Sequence, residues 1–314
     1  MTAIICGSLA YDNIMVFPGR FSEEILPERV HALNVAFLVP EMRKQFGGCA
    51  ANIAYALQQL GGSGKPMGTV GMDFGPYTER LTGLGIDQTY VKTVAEAFTA
   101  QAFITTDLDD NQITAFHPGA MNHAHEQAIP AEATLGIVAP DGRDGMIQHA
   151  AQFAEAGVPF IFDPGQGLPM FDGDDLKRFI EQATYVAVND YEQAVMTERT
   201  GWQPAEIAEH VEALIVTRGA QGSEIYTGGD MLHIPCAKAD AVVDPTGCGD
   251  AYRGGLLYGL QQGYDWATTG RIASLMGAIK IAQNGPQNYS IDPADFAARY
   301  QQAFSAALPA PVGG

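Results

Sequence analysis

The stretch Asp244-Pro245-Thr246-Gly247-Cys248-Gly249-Asp250 joins two different patterns in the chain. Residues 241–243 before it are typical of the end of an extended segment, and the apolar residues from 251 to 263 follow a helical period. A glycine-rich turn that opens a helix presents free N–H groups, which favour a phosphate. Asp250 would repel such an anion unless it acts on the ligand, for example as a base for an attacking hydroxyl. The alternative is an ordinary cap in which Asp250 only complements the helix dipole.

The composition limits the partners that we expect. The chain has 314 residues, of which 46% are hydrophobic, and 17 Lys and Arg against 36 Asp and Glu leave a formal net charge of −19. Binding to nucleic acid or anionic lipid depends on basic side chains, so we predict neither a nucleic-acid nor a membrane partner. Any phosphate site in this chain has to be built locally from backbone amides, a cation or a few basic residues.

The cysteines and the N-terminal segment bear on the compartment. Cys6, Cys49, Cys236 and Cys248 are scattered without a C-x-x-C pair, which argues against a disulfide framework or a cysteine metal site. The start of the chain has no basic region before its first apolar run, and no apolar run reaches the length of a membrane helix. We therefore predict a cytoplasmic protein.

Alternation of strand and helix patterns predicts the fold class. From about residue 135 onward, short apolar strands alternate with amphipathic helices, which predicts an α/β protein with a mostly parallel central sheet covered on both faces. Two segments interrupt this order, at about 14–46 and 97–120. They contain predicted strands at 14–17 and 35–39 and a predicted hairpin at 100–116. We interpret 1–314 as one domain with a small discontinuous β-sheet lid.

Polar residues and glycines follow the predicted strands where functional groups of α/β proteins gather. These strand-end positions are Asp12, Asp163, Asn189, 217–219 and 244–250. Gly47 and Gly48 open a helix that carries Asn52 near its start, where small residues let a ligand approach closely. Asn189 and Glu192 are three residues apart and can hold a hydrated cation, although the same pair is typical of a helix capping box.

Two separate motifs resemble the signatures of one known family. The first is Gly47-Gly48-x-x-x-Asn52-x-Ala54-x-x-Leu57-x-x-Leu60-Gly61, and the second is Asp244-x-Thr246-Gly247-Cys248-Gly249-Asp250. With them the chain resembles the ribokinase-like (PfkB) carbohydrate kinases over nearly its whole length. The resemblance implies a three-layer α/β/α ribokinase-like fold with a small β-sheet lid.

The resemblance also implies roles for the second motif. Asp250 would be the general base on the acceptor hydroxyl. The anion hole for the transferred phosphoryl group would be formed by the N–H groups of Gly247, Cys248 and Gly249. Asp244 and Thr246 match positions that hold a monovalent cation in some members, so potassium is left open as a second cation.

Residues elsewhere in the chain match the family's substrate and nucleotide positions. The candidates for binding the acceptor are Asp12, Asn13, Gly47, Gly48, Asn52 and Gln166. The candidates for the ATP site are Asn189, Thr217, Gly219 and Gly222. Asn189 and Glu192 look like the family's magnesium motif, which implies Mg²⁺ held through water together with ATP.

Within the family, residues 7–15, 37–42 and 116–121 look like those of bacterial and archaeal nucleoside kinases. A purine base needs flat apolar surfaces, which four residues of the predicted lid segments could supply. They are Phe17, Phe37, Phe116 and Met121. The alternative is that these side chains pack the lid against the core.

The resulting hypothesis is an ATP-dependent kinase for the 5′-hydroxyl of a purine nucleoside such as adenosine or inosine. A sugar kinase resembling ribokinase or fructokinase is the first alternative, and a catalytically silent nucleotide-binding sensor is the second. A nicotinamide-dependent oxidoreductase is disfavoured because no G-x-G-x-x-G motif follows the first strand. The predicted lid sheet has exposed edges, and we expect it either to pair in a homodimer or to close over substrate.

Overall fold

In a computed structural model of the protein, the strands form two separate sheets. The structure describes residues 1–25, 34–109 and 111–310. Part of the predicted lid segment 14–46, and Asp110 of the predicted hairpin, lie outside these residues. None of the described helices combines the length and the apolar composition that a membrane-spanning helix needs.

The first half of the chain contributes strands to both sheets. In chain order its elements are β1 (Ala3–Cys6), β2 (Ala10–Val16), α1 (Phe21–Glu24), β3 (Glu41–Gly47), α2 (Cys49–Gln59), β4 (Gly64–Val70), α3 (Gly75–Gly83), β5 (Tyr90–Thr93), β6 (Ala100–Thr106) and β7 (Gln112–His117). A 3-10 stretch at Gly119–Glu126 then leads into the regular part of the chain.

The second half alternates strands and helices, as predicted. Its elements are β8 (Leu135–Val138), α4 (Arg143–Glu155), β9 (Phe160–Phe162), α5 (Gly173–Gln182), β10 (Tyr185–Asn189), α6 (Asp190–Thr200), α7 (Pro204–His210), β11 (Ala213–Thr217), β12 (Ser223–Thr227), β13 (Asp230–Ile234), α8 (Cys248–Gln262), α9 (Trp266–Ile281) and α10 (Pro293–Phe304). Further 3-10 turns follow β9 and β11, at Gly165–Met170 and Gly219–Gln221.

The large sheet is mostly parallel, which confirms the predicted fold class. Its described strands run in the order β13-β12-β11-β10-β9-β8-β1-β4-β5. Every neighbouring pair from β5 to β11 is parallel, and the hairpin β12–β13 is added antiparallel at one edge. The carboxyl ends of the parallel strands therefore lie along one side of the sheet, which is where ligands of such sheets bind.

Side chains of the parallel strands alternate between two apolar cores. Ile5 and Ile161 belong to a core shared with α2, α3, α8, α9 and α10, whereas Ile4 and Phe162 belong to a core shared with α4, α5, α6 and α7. Because successive residues of a strand point to opposite faces, one strand fills both cores. The molecule thus has the three helix–sheet–helix layers that the sequence predicts.

The small sheet is built from the two segments that interrupt the alternation. Its strands run in the order β3-β2-β6-β7, with β2 and β6 parallel and the other pairs antiparallel. The predicted hairpin is confirmed as β6 and β7. The predicted strand at 35–39 is wrong, because the strand in this segment is β3 and residues 34–39 form none. Pairing with β2, which runs from Ala10 opposite Gly47 to Val16 opposite Glu41, outweighs the higher strand propensity of 35–39.

The predicted extended segment before Asp244 is also wrong. Residues 241–243 belong to no strand, and the side chains of Val242 and Val243 are 80% and 54% exposed. The amides of Val243 and Asp244 both donate to the carbonyl oxygen of Ile281, at 2.8 and 3.1 Å. The carboxyl end of α9, and not a neighbouring strand, therefore holds the segment that leads into α8.

Gly48 is a position where the fold demands glycine. Its φ is +91°, and a Cβ atom there would lie 2.5 Å from the carbonyl oxygen of Ser8 and 2.6 Å from the amide of Ala10. Gly61 has a similar φ of +81° but open space around it. A comparison of substitutions at these two glycines therefore distinguishes the cost of backbone strain from the cost of a steric clash.

We predict that Gly48→Ala lowers the free energy of unfolding by about 2–5 kcal/mol, since left-handed strain and a backbone clash add. Gly61→Ala is the matched control and should lose only about 1–2 kcal/mol, because it carries the strain alone. Urea denaturation followed by circular dichroism measures both. Equal losses for the two variants would contradict the close approach of Gly48 to Ser8.

Candidate active site

Three cavities meet at the N-terminus of α8. The first, the α8–α9 cavity, has a volume of about 500 Å³ and is lined by small residues such as Ala237, Gly277 and Ala278. The second, the central cavity, measures about 410 Å³ and lies at the ends of β9, β10 and β11. The third, the small-sheet cavity, measures about 520 Å³ and includes residues of β2, β6 and β7. Gly249 lines all three, so one turn of α8 connects them.

Asp250 lines the central and the small-sheet cavities from the first turn of α8. Its Oδ2 accepts a hydrogen bond from Nδ2 of Asn52 at 2.8 Å. Burial raises the pKa of Asp250 to about 6, although the Asn52 hydrogen bond opposes the rise. A carboxyl group with such a pKa is ionised at neutral pH and is still basic enough to accept a proton.

The orientation of Asn52 is itself fixed by hydrogen bonds. Its Oδ1 accepts from Nε2 of Gln287 at 2.8 Å, and Gln287 also donates to the hydroxyl of Tyr77 at 2.7 Å. The amide nitrogen of Asn52 is therefore the atom turned toward Asp250. Sequence reasoning missed Gln287, because nothing near it in the chain indicates that residues 235 positions apart meet.

The turn of the second motif has the shape that an anion site requires. Gly247 has a φ of +79° and forms the N-cap of α8, while a Cβ on Gly249 would meet no atom within 4 Å. The amide of Cys248 donates to the carbonyl oxygen of Pro245 at 3.1 Å. Of the three predicted anion-hole amides, that of Cys248 therefore also closes the turn.

Asp12, Gly47 and Gly48 come together beside the small-sheet cavity. A Cβ on Gly47 would lie 2.5 Å from Oδ2 of Asp12, so the carboxylate rests directly on this glycine. Burial and the charge of Asp244 raise the pKa of Asp12. Asp12 and Gly48 line the cavity and can present polar groups to a ligand.

Asn13 does not join this group. It is buried, and its Nδ2 donates to Oε1 of Gln101 at 3.1 Å and to the carbonyl oxygen of Ala102 at 3.3 Å. Adjacent residues of a strand point to opposite faces, so Asp12 and Asn13 cannot share a site. Gln166, by contrast, lines both the central and the small-sheet cavities.

The four predicted apolar residues divide into two pairs. Phe116 and Met121 line the small-sheet cavity, where Ile104 and Met170 also contribute. Phe17 and Phe37 do not line it and instead pack with Phe21, with ring centroids 4.9–6.0 Å apart. Phe17 and Phe37 therefore pack on a residue of their own segment, 14–46, and Phe21 belongs to neither of the two apolar cores.

Asn189 and Glu192 form a complete capping box on α6. The Asn189 amide donates to Oε2 of Glu192, and the Glu192 amide donates to Oδ1 of Asn189, both at 2.8 Å. Both residues also line the central cavity, together with Asp163 and Asp250. Burial raises the pKa of Glu192, and the charge of Asp163 adds to the rise. Asn189 and Glu192 can therefore cap α6 and also contribute to a cation site, because both residues line the cavity while they form the cap.

These residues fit a magnesium ion held through water. Within the described residues no three His, Cys, Asp or Glu side chains are close enough to hold a metal directly. Mg²⁺ prefers oxygen ligands and usually keeps several of its waters, and the carboxylates and amide of the central cavity suit such an ion. The central cavity adjoins the α8 N-terminus, where the phosphates of ATP would lie.

Arg253 is a further residue that sequence reasoning missed. Its side chain is 5% exposed, and its Nη2 and Nε donate to the two carboxylate oxygens of Asp163 at 3.0 and 3.2 Å. Nη2 also donates to the carbonyl oxygen of Ala187 at 3.1 Å. Its signal in the sequence is a lone arginine one turn after Asp250 on an otherwise apolar helix. Both members of the pair line the central cavity, and their formal charges balance.

The predicted ATP-site residues lie beside the α8–α9 cavity. Thr217, Gly219 and Gly222 line it, and the first two also line the central cavity. Gly222 has a φ of +92°, and a Cβ there would lie 2.1 Å from the carbonyl oxygen of Ile234. The fourth predicted ATP-site residue, Asn189, lines the central cavity and not the α8–α9 cavity.

Asp141 stands at the end of β8 and lines the small-sheet cavity. Its Oδ1 accepts from the amide of Gly142 at 2.9 Å, whereas its buried Oδ2 has no hydrogen-bond partner among the described residues. Burial raises the pKa of Asp141 to about 7. Sequence reasoning missed this residue, although its place after an apolar strand was an available signal.

One of the two predicted monovalent-cation residues, Asp244, contacts a lysine. The Asp244 carboxylate accepts the amides of Thr246 and Gly285, each at 2.8 Å. The main-chain oxygen of Asp244 accepts from Nζ of Lys280 at 2.7 Å. Lys280 was not predicted, because on sequence alone it belongs to the last turn of a helix.

Comparison with known proteins identifies the family. A family model described as pfkB family carbohydrate kinase matches residues 8–293. The chain belongs to this family. It is therefore a phosphotransferase with a hydroxyl acceptor, and the family predicted from the two motifs is confirmed.

Individual relatives cover the chain almost completely. A nucleoside kinase from Methanocaldococcus jannaschii is 34% identical over 290 residues, which are 91% of this chain and 93% of the relative. The solved structure of a Burkholderia thailandensis nucleoside kinase in complex with inosine is 55% identical, with a TM-score of 0.88 over 98% of this chain and 99% of the other. The structure of the Methanocaldococcus jannaschii nucleoside kinase, a member of the ribokinase family, has a TM-score of 0.87 at 31% identity over 96% of this chain and 99% of the other. The ribokinase-like fold is thereby confirmed.

The pKa of Asp250, raised to about 6, predicts how activity depends on pH. A base works only when ionised, so kcat/KM should fall about tenfold per pH unit below about 6 and level off above it. Initial rates of ADP formation between pH 4.5 and 8.5 measure this profile.

Two variants show which carboxyl group causes the decline. Asp250→Asn should lose at least about 10²-fold in turnover and show no acid limb. Asp141→Asn, which removes the group with a pKa of about 7 in the same cavity, should keep the limb near pH 6. A limb that persists in Asp250→Asn, or one that disappears in Asp141→Asn, would contradict the assignment to Asp250.

Proposed function

We propose that this protein is an ATP-dependent nucleoside kinase that phosphorylates the 5′-hydroxyl of a purine nucleoside such as adenosine or inosine. The observation that carries the proposal is the junction of three cavities at Gly249, with the basic carboxylate of Asp250 between two of them. A nucleoside in the small-sheet cavity and ATP in the α8–α9 cavity would bring acceptor and donor together there. The polar central cavity then receives the phosphates and their cation.

The residues around the junction suit phosphoryl transfer, which needs alignment and charge neutralisation more than covalent chemistry. Asp250 takes the proton of the 5′-hydroxyl while Asn52 holds the carboxylate in position. The N-terminus of α8 faces the transferred phosphoryl group with free amides and the positive end of its dipole. Mg²⁺ bound with ATP would supply charge neutralisation, and Asn189 and Glu192 at the wall of the central cavity would hold it through water.

The small-sheet cavity favours a nucleoside over a free sugar. Its lining combines Asp12, Gly48 and Asn52, which offer polar contacts, with Phe116, Met121 and other apolar side chains. A cavity of about 520 Å³ with both kinds of wall suits a ribose with a base attached. The inosine in the relative from Burkholderia thailandensis is a purine nucleoside, which supports the same acceptor class. A sugar kinase is the alternative. A silent sensor is disfavoured because the candidate general base, Asp250, and the anion-binding turn are both present.

The decisive experiment is an acceptor panel with Mg-ATP. We expect ADP formation with inosine, adenosine or guanosine at a kcat/KM at least about 10²-fold above that with ribose or fructose, because a base adds buried contacts that a free sugar lacks. Phosphorus NMR of the product should place the phosphate on the 5′-oxygen. Asp250→Asn is the control that assigns the ADP to this site. A preference for free ribose or fructose would establish the sugar-kinase alternative, and no ADP with any acceptor would establish the sensor.

We also propose that the protein acts in the cytoplasm as a homodimer paired through the small sheet. The four cysteines are all free thiols, which suits a reducing compartment, and cell fractionation would test the location. β7 lies at the edge of the small sheet, and Ile113 of β7 and Phe103 of β6 are exposed on the face opposite the cavity-lining Phe116. An exposed apolar surface next to an open sheet edge is a surface that a second copy can cover.

Light scattering coupled to size-exclusion chromatography tests the dimer. The wild-type protein should elute with twice the mass of the chain, and Ile113→Glu should elute with the mass of one chain, because a charge would be buried in the interface. Met231→Glu is the control, since Met231 is 51% exposed but lies on β13 at the edge of the large sheet. A monomeric wild type, or a dimeric Ile113→Glu, would contradict this interface.

A further inference from the structure

Lys280 is a lysine without any solvent exposure, next to the turn that carries the candidate anion hole. It lies in the last turn of α9, and its side chain is 0% exposed. Lysine is almost never fully buried unless its charge is paired, because removing an ammonium group from water is costly. Such a residue needs an explanation that packing alone does not provide.

The surroundings of the ammonium group consist of oxygen atoms. Nζ donates to the main-chain oxygens of Asp244 at 2.7 Å and Gln283 at 3.2 Å, and it lies 3.9 Å from Oδ2 of Asp244. Carbonyl and carboxylate oxygens only accept hydrogen bonds, so this site suits a group with several donors or a metal cation, and the carboxylate favours a positive charge. A set of backbone carbonyls with one carboxylate is also the kind of cage that binds an alkali-metal ion.

The same site connects the two segments behind the anion hole. The Asp244 carboxylate accepts the amide of Thr246 in the turn and that of Gly285 in the loop after α9. The next residue of that loop, Pro286, lies against Gly247, where a Cβ would be 2.6 Å from the proline Cβ. Lys280 therefore ties together the turn that orients the α8 amides and the loop that supports this turn from behind.

Charge provides a second connection to the site. Burial lowers the pKa of Lys280, and the charges of Asp244 and Asp250 oppose that decrease. Asp12, Asp244 and Asp250 all lie near the position of the phosphates, in a chain with a formal net charge of −19. A fixed positive charge beneath the turn reduces the repulsion between these carboxylates and an incoming triphosphate.

We propose that Lys280 is a built-in monovalent cation: its ammonium group occupies the place between Asp244 and the 281–285 loop that a potassium ion would otherwise take. The residues predicted for potassium therefore do not fit that ion here, because a covalently attached charge already fills the cage. Lys280 is a positioning residue that acts through the main chain of the anion-binding turn. The consequence is a kinase that needs Mg²⁺ but no added potassium, and the proposal rests on the phosphoryl-transfer role of that turn.

The first test uses the wild-type protein. Nucleoside phosphorylation is measured in buffers whose only monovalent cation is tetramethylammonium, and then with added KCl. We expect kcat to change by less than about twofold, since no site for potassium is open. Activation by potassium of more than about fivefold would overturn the proposal.

The second test empties the cage. Lys280→Ala should lower kcat at least about tenfold while the KM for the nucleoside changes less than about threefold, because the anion hole and not the acceptor site is disturbed. Potassium, ammonium or methylammonium ions should raise the kcat of this variant at least about threefold. Tetramethylammonium, which is too large for the cage, should not raise it. Full activity without added cation, or a folded variant whose lost activity no cation restores, would overturn the proposal.

Thermal unfolding gives a readout that does not depend on activity. The melting temperature of Lys280→Ala should rise with added potassium, whereas that of the wild type should not, because an ion that binds only the folded cage stabilises it. Lys92→Met is the control for loss of a lysine, since Lys92 is an exposed residue of the edge strand β5 that pairs with Glu126.

If Lys280→Ala does not fold, two other experiments test the proposal: the wild-type potassium test and the milder Lys280→Met, which keeps the apolar stem. A wild type without kinase activity would refute the proposed function, whereas an absent potassium effect on the melting of Lys280→Ala would refute the built-in cation.

Discussion

The structure depends on the close packing of α8 between α2 and α9. A Cβ on Gly254 would lie 2.5 Å from Cβ of Ala56 in α2, and one on Gly255 would lie 2.5 Å from Cα of Ala273 in α9. A third glycine of α8, Gly259, approaches Thr269 of α9 in the same way. Side chains at these positions would push the helices apart, since interiors are already close-packed. The distances between residues of these three helices are therefore set by backbone contact.

This packing places the reactive groups. Because α2 and α8 touch, Asn52 in the first turn of α2 reaches Asp250 in the first turn of α8. Because α8 and α9 touch, Lys280 at the end of α9 reaches the main chain of Asp244 just before α8. Asp250 is thus held from the side of α2, and the anion-binding turn is held from the side of α9. A small change in helix spacing would alter both contacts at once.

Electrostatics explains why such support is needed. The protein is strongly acidic, and it sets several carboxylates beside a region that suits a triphosphate. The positive contributions there are the N-terminus of α8 and Lys280, whereas the charge of the buried Arg253 is balanced by Asp163. Lys280 is fixed by the fold and fully buried, so salt screens its interactions little, whereas the N-terminus of α8 faces the cavities through the exposed Gly249. The acidic surface and the phosphate site can coexist for this reason.

The order of strands and helices, the parallel sheet, the family and the residues of both motifs were predictable from the amino-acid sequence, because periodicity, turn glycines and motif spacing are local properties. Sequence reasoning misplaced the strand at 35–39 and the extended segment at 241–243, where pairing with β2 and hydrogen bonds to Ile281 outweigh local propensity. It also grouped Asn13, Phe17 and Phe37 with residues that line the cavity. Three contacts became visible only in the folded chain: Gln287 orients Asn52, Arg253 pairs with Asp163, and Lys280 fills the cage at Asp244. The physical reason is that these contacts join residues 36 to 235 positions apart, so they exist only once the helices have packed.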